Sequence, residues 1–156
     1  MDTRYDLTIS RLLKAPRRTV WRAWAEPEHF VKWWAPAPVV TTSQEHDLRA
    51  GGGFSTTMCL EDGTEHAGHG CFLDVVEHER IVFTDALQAG WRPNKEPFMT
   101  AIITLEDHPD GTTYSALVLH NNEADRQKHA DMGFESGWGK AIEQLNQLAL
   151  QLSRSI

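Results

Sequence analysis

The sequence predicts an α+β fold in which a curved antiparallel sheet wraps around a long C-terminal helix, with two short helices after the first strand. Three observations predict it. Between Val39 and His120, strand-like segments follow one another through short runs of turn-forming residues. Such runs are too short for the crossovers that parallel strands need, so neighbours run antiparallel. After His120 the period changes: Phe134, Trp138, Ile142, Leu145, Ala149 and Leu152 recur every three or four residues, the stripe of an amphipathic helix. Prolines at 16, 27, 36 and 38 confine any helix near the N-terminus to short pieces. One sheet and one such helix bury their apolar faces only against each other, and the space between them is a natural cavity.

Taken in order, Arg4 to Leu13 alternates weakly, with Tyr5, Leu7, Ile9 and Arg11 on one side, and reads as the first strand. Ala15-Pro16 breaks it. Pro16 suits the first helical position, where its missing N–H has no partner to lose. Val20, Trp21 and Trp24 follow at helical spacing. Pro27 restarts a second short helix with Phe30, Trp33 and Trp34 on its apolar side, and Pro36 and Pro38 end it. Val39 to Leu48 is strand-like with a polar middle, and Gly51-Gly52-Gly53 turns the chain. Phe54, Thr56, Met58 and Leu60 then share one face of a strand, and Glu61-Asp62-Gly63 signals a hairpin. Thr64 to Val76 returns, Glu77-His78-Glu79-Arg80 turns again, and Ile81 to Leu87 is rich in β-branched and aromatic residues. Gln88 to Pro97, holding Trp91, reads as a loop; Phe98 to Glu106 and Thr112 to His120 pair across Asp107-His108-Pro109-Asp110-Gly111.

Asn121 or Asn122 can cap a helix that starts near Glu123. That helix could run about thirty residues, well beyond the usual length. Gly133, Gly137 and Gly139 fall inside it, each costing ~1 kcal/mol relative to alanine. Either the helix bends there, or small residues are needed where the sheet or a ligand approaches.

The chain has 156 residues, 40% hydrophobic and 24% charged, which suits one domain spanning 1–156. Its net charge is −7, a poor match to nucleic acid, whose affinity comes mainly from neutralised phosphates. The basic cluster Arg11, Lys14, Arg17, Arg18 and Arg22 reads as a solvated face or a docking patch for an acidic partner. No apolar run is long enough for membrane insertion, and the first residues carry no signal core, so the expected location is cytoplasmic. The two cysteines, Cys59 and Cys71, fit a reducing compartment.

Metal and catalytic motifs are weak. His66 and His69 form H-x-x-H, but three residues apart on a strand they face opposite ways, so no metal site is expected. There is no nucleophile elbow, phosphate loop or dinucleotide fingerprint, hence no expected cofactor. A reaction in an apolar cavity would need a general acid or base, for which His66, His120, Asp85 and Glu45 are the available groups. None has a partner visible in sequence, and no catalytic residue is assigned.

Strand parity outlines a cavity wall: Phe54 and Met58 in one row, Ile81 and Phe83 in a second, Met99, Ala101, Ile103 and Leu105 in a third, Leu117 and Leu119 in a fourth. After Gly63 the inward face is either His66, Gly70 and Phe72 or His69, Cys71, Leu73 and Val75; Phe72 is taken as inward, because Gly70 leaves room beside a large ring. Adjacent Trp33 and Trp34 cannot both face one core, so Trp34 is placed at the cavity mouth. Trp91, in its loop, is a rim packer or a lid, and Phe134 and Trp138 border the cavity from the helix. The expected ligand-binding set is Trp34, Phe54, Met58, Phe72, Phe83, Trp91, Met99, Ile103, Phe134 and Trp138.

Several stretches carry a family resemblance: Ala15-Pro16 to Trp24, Trp33-Trp34 before Pro36, Asp47-Leu48-Arg49-Ala50-Gly51-Gly52, Glu61-Asp62-Gly63, Arg80-Ile81-Val82-Phe83-Thr84, and Gly137-Trp138 leading into Leu145. In this order they resemble the START-like helix-grip superfamily. Within it the chain is most similar to the domain homologous to the C-terminal part of the Aha-type activator of the heat-shock chaperone ATPase. The resemblance implies a helix-grip fold binding a small, largely apolar molecule between sheet and helix. It also implies two alternatives: a cyclase-like enzyme using the same cavity, or a protein-interaction module with a chaperone as partner. The chain would act as a monomer or homodimer. A filled core would favour the interaction module.

Overall fold

The computed structural model describes residues 2–154. In chain order the elements are β1 (Asp6–Leu13), α1 (Arg17–Ala25), α2 (Pro27–Phe30), β2 (Val40–His46), β3 (Gly53–Cys59), β4 (Glu65–Val76), β5 (Arg80–Thr84), β6 (Leu87–Gln88), β7 (Arg92–Pro93), β8 (Met99–His108), β9 (Gly111–His120), α3 (Glu123–Asp131) and α4 (Phe134–Arg154). Seven strands form one antiparallel sheet in the order β1-β9-β8-β5-β4-β3-β2, and the two-residue strands β6 and β7 pair separately. The first strand therefore lies beside the last. Helices α1 and α2 carry the chain from that edge to the opposite one, and α1 packs against α4. This is the α+β helix-grip arrangement that the sequence predicts.

The core lies between the concave face of the sheet, α1–α2 and α4. Ile9, Leu13, Val20, Trp24, Phe30, Phe72, Ile81, Phe83, Ile103, Tyr114, Leu145 and Ala149 belong to one buried cluster. Leu145 and Ala149 are fully buried, whereas Leu152, expected beside them, is half-buried. Inward-facing Phe72 follows the predicted parity, and the predicted row at Ile81 and Phe83 is buried.

Four expectations change. The long C-terminal helix is two helices. Asn122 caps α3, its side-chain oxygen accepting from the Asp125 N–H at 2.8 Å, and the chain breaks at Gly133, whose φ of 93° lies in the left-handed region that glycine tolerates. The strand from Ile81 ends at Thr84 rather than Leu87, because the Asp85 carboxylate takes the Phe98 and Met99 N–H groups at 2.8 and 3.0 Å and turns the chain out of the sheet. Pro16 stands just before the first residue of α1 as its N-cap, not inside it. The fourth wall row is out of phase: Tyr114, Ala116, Val118 and His120 are buried, while Leu117 and Leu119 are half-buried on the other face. Register explains it, since Ala116 pairs with inward Ile103 and Val118 with inward Ala101.

Candidate functional site

A cavity of about 380 Å3 lies between the sheet and the helices. Met58, Phe83, Met99, Ile103 and Tyr114 of the sheet form its floor. Trp24, Trp33, Trp34, Ala35 and Pro36 close one end, and His129, Met132, Gly133, Phe134, Gly137, Trp138, Ala141 and Ile142 form the helical wall. Proline-limited helices make the closed end. Pro27 starts α2 after one residue of extended backbone, and this corner brings Trp24, Phe30, Trp33 and Trp34 into edge and tilted contacts of 4.6–5.7 Å. The Trp33 indole N–H donates to the Ala23 carbonyl at 2.8 Å, which fixes that ring in the core. Trp34 is half-buried and meets Phe83 at 5.7 Å. On the helical side Phe134 and Trp138 stack at 5.0 Å, and a Cβ at Gly137 would meet nothing within 4 Å. Met132, 68% exposed, marks the open rim.

Seven of the ten expected residues line this cavity: Trp34, Met58, Phe83, Met99, Ile103, Phe134 and Trp138. Phe54 and Phe72 do not. They sit beside the floor on the same face of the sheet, 5.0 Å apart, with Phe72 paired to Phe83 and Phe54 5.5 Å from Phe83 and 6.2 Å from Trp34. Trp91 is elsewhere. It is half exposed, in the short turn between β6 and β7, and its ring covers Gly51, so it is neither lid nor rim of this cavity.

The acid–base candidates separate. His66 and Glu45 are exposed, and the Asp85 carboxylate is spent on two backbone N–H groups. His66 and His69 pair with Met58 and Ser55 across the β3–β4 ladder, and His69 Nδ1 lies 3.1 Å from the Ser55 hydroxyl. Among the described residues, Glu26, Glu28 and His29 bring metal-type donors within 4.8 Å of one another, but Arg22 already holds the Glu26 carboxylate at 2.7 Å. Of the basic cluster, Arg11 pairs with Glu135, Arg17 with Asp107 and Arg22 with Glu26. These three are partnered surface groups.

His120 alone of the four reaches toward the cavity, through His129: the two rings share a 2.9 Å hydrogen bond. Burial, with a smaller contribution from His120, lowers the His129 pKa to about 4. Tyr114 is buried, its oxygen accepts the Trp24 indole N–H at 2.9 Å, and burial raises its pKa. His129 and Tyr114 escaped the sequence reading for separate reasons. Tyr114 fell to the parity error on β9. His129 meets His120 only because the Asn121–Asn122 turn folds α3 back along the strand end, which no periodicity records.

The family model of the Activator of Hsp90 ATPase homolog 1-like protein matches residues 14–149. The chain belongs to this family. Solved structures agree. A crystal structure of a protein from Nitrosomonas europaea is 39% identical over 99% of each chain, with a TM-score of 0.94. A protein from Mycobacterium smegmatis is 29% identical over 94% of this chain and 91% of its own, with a TM-score of 0.79. The AHSA1-like protein from Aeromonas hydrophila, 21% identical over 95% of this chain and 94% of its own with a TM-score of 0.70, shares the fold. No curated protein matches the chain. Among the described residues no helix is long and apolar enough to cross a membrane.

Proposed function

We propose that this member of the Activator of Hsp90 ATPase homolog 1-like family binds one small, largely apolar molecule between its sheet and α4. The observation that carries this reading is the aromatic-lined cavity of about 380 Å3 beside an otherwise buried, continuous core. Protein interiors pack nearly as densely as organic crystals, so an apolar space of this size stands out, and it falls in the range of small-molecule sites. Gly137 keeps it open where a larger residue would fill it. The free thiols Cys59 and Cys71 support a reducing compartment such as the cytoplasm.

The test is titration with N-phenyl-1-naphthylamine, a neutral dye that brightens in apolar surroundings. Saturable binding to the wild type, lost in Gly137→Phe with the fold retained, is the expected result. No saturable binding, or equal binding to both proteins, overturns the reading.

A second reading rests on the family's description as activator of the Hsp90 ATPase. Its test is stimulation of ATP hydrolysis by a purified chaperone of that class, in a range where the Gly137→Phe protein behaves like the wild type. A cyclase-like activity finds less support, since three of the four acid–base candidates lie away from the cavity.

A further inference from the structure

The cavity lining is largely apolar, with the Tyr114 hydroxyl on its floor and His129, which meets His120 behind it, on one side. His120 ends β9 and His129 lies in α3; each is 8% exposed. The Tyr5 carbonyl can only accept, so His120 Nδ1 carries a proton and donates it to that oxygen at 2.7 Å. In a neutral ring the other nitrogen, Nε2, is then an acceptor, and it lies 2.9 Å from His129 Nδ1. His129 Nδ1 therefore holds the next proton and donates to His120. His129 Nε2 is left as a bare lone pair, with no hydrogen-bond partner among the described residues, on a side chain that lines the cavity. Phe98, Phe134 and Trp138 hold the ring in place at 5.0, 5.1 and 6.1 Å. A chain of hydrogen bonds anchored on a backbone carbonyl thus presents an acceptor to the cavity and no donor.

We propose that His129 Nε2 is the polar anchor of the cavity and selects an uncharged ligand bearing a hydroxyl, an alcohol or phenol on an otherwise apolar frame. This inference rests on the binding reading above and narrows its ligand class. A carboxylate or phosphate oxygen would face the lone pair, and among the described residues no lysine or arginine lines the cavity to balance its charge. Burial keeps His129 neutral, so it accepts a hydrogen bond rather than removing the proton. A pure hydrocarbon would cover Nε2 without pairing it, which is unfavourable for a buried acceptor. The indole N–H groups of Trp24 and Trp33 are bound to the Tyr114 oxygen and the Ala23 carbonyl, whereas the Tyr114 hydroxyl proton and the indole N–H groups of Trp34 and Trp138 have no acceptor among the described residues and can donate to the oxygen of the same ligand hydroxyl.

The test compares 2-naphthol, naphthalene and 2-naphthoate by isothermal titration calorimetry near neutral pH. The wild type should prefer 2-naphthol over naphthalene by ~10-fold, with 2-naphthoate weakest. In His129→Phe, which keeps an aromatic ring and removes the acceptor, the preference should fall to within about twofold. Equal binding of 2-naphthol and naphthalene to the wild type, an undiminished preference in His129→Phe, or tightest binding of 2-naphthoate overturns this inference and leaves the apolar-binding reading standing. If none of the three binds, both readings fall. A measurement on the wild type needs no variant: imidazole nitrogen NMR should place the His129 proton on Nδ1 and shift Nε2 with 2-naphthol but not with naphthalene. A proton on Nε2 of the free protein overturns the proposal.

Discussion

The ring of Phe54 occupies the space that a side chain at position 70 would need: a Cβ on Gly70 would overlap that ring and lie 2.8 Å from the Thr84 carbonyl oxygen. The two residues are paired across the β3–β4 ladder. Phe54 in turn supports Phe72 and Phe83, so the glycine sets the position of the rings beside the cavity floor. Gly70→Ala should therefore destabilise the protein by ~1–3 kcal/mol through overpacking. Urea unfolding measures this, and Phe54→Leu in the same chain should recover part of the loss. An unchanged midpoint for Gly70→Ala would remove the constraint.

The glycines at the helical wall should respond in opposite directions. Gly137→Ala adds a methyl into open space within α4 and should stabilise by ~0.5–1 kcal/mol through helix propensity. Gly133→Ala places a Cβ at a φ of 93° and should destabilise by ~1–2 kcal/mol. Thermal unfolding of the two variants side by side checks the sign. A stabilising Gly133→Ala would mean that the α3–α4 break is not fixed at that residue.

Leu145 is fully buried in the part of α4 beyond the cavity. Leu145→Ala should cost ~2–5 kcal/mol by creating a void there. It should leave the dissociation constant for N-phenyl-1-naphthylamine unchanged in the folded protein. Trp138→Ala, on the cavity wall, should change dye binding. Equal effects of the two substitutions on dye binding would contradict the division of α4 into a packed half and a lining half.

Acid should weaken the fold in a defined window. His129 is lowered to about 4 by burial and by His120, and His46 is lowered by burial, partly offset by its hydrogen bond to the Trp24 carbonyl. For both, the unfolded chain binds protons that the folded chain refuses. For His129 this stability is present above the unfolded value of 6.5 and is lost as pH falls toward about 4, and His46 adds to it in the same direction. Denaturant midpoints should drop between about pH 7.5 and about pH 5, by ~1–3 kcal/mol for His129. His129→Phe should flatten that slope. A slope of the same size in the variant would assign the acid sensitivity elsewhere.

The parts of this fold that rest on a local period could be read directly. The alternation at Met58, at Phe83 and at Met99 and Ile103, and the stripe from Phe134 to Ala149, each state their own facing, and six of the seven expected cavity residues follow from them. What could not be read depends on contacts across the fold. On β9 the larger leucines, Leu117 and Leu119, outweigh Ala116 and Val118 in any hydrophobicity argument, yet the register with β8, which sets Ala116 beside Ile103 and Val118 beside Ala101, puts the smaller pair inside. Trp91 is a large aromatic in a loop, and only the position of Gly51 reveals what it covers. The His120–His129 pair joins a strand end to a helix through a turn, with Tyr5 from the far end of the chain as its third member.

The pairing of β1 with β9, from Leu13 beside Thr112 to Asp6 beside Leu119, also orders events in time. A ribosome delivers β1 about a hundred residues before β9, so β1 must wait, unpaired along that edge, until β9 has been made. The hairpins from β2 to β5 join neighbours in sequence and can assemble meanwhile. Closure of the sheet, the arrival of Tyr5 at His120 and the docking of α4 then fall together, once β9 and the two helices after it have been made. Contacts between distant residues cost the most chain entropy to close, so this last step should set the pace of folding. The cavity exists only once it is complete, and a nascent chain has nowhere to hold a ligand before α4 is released.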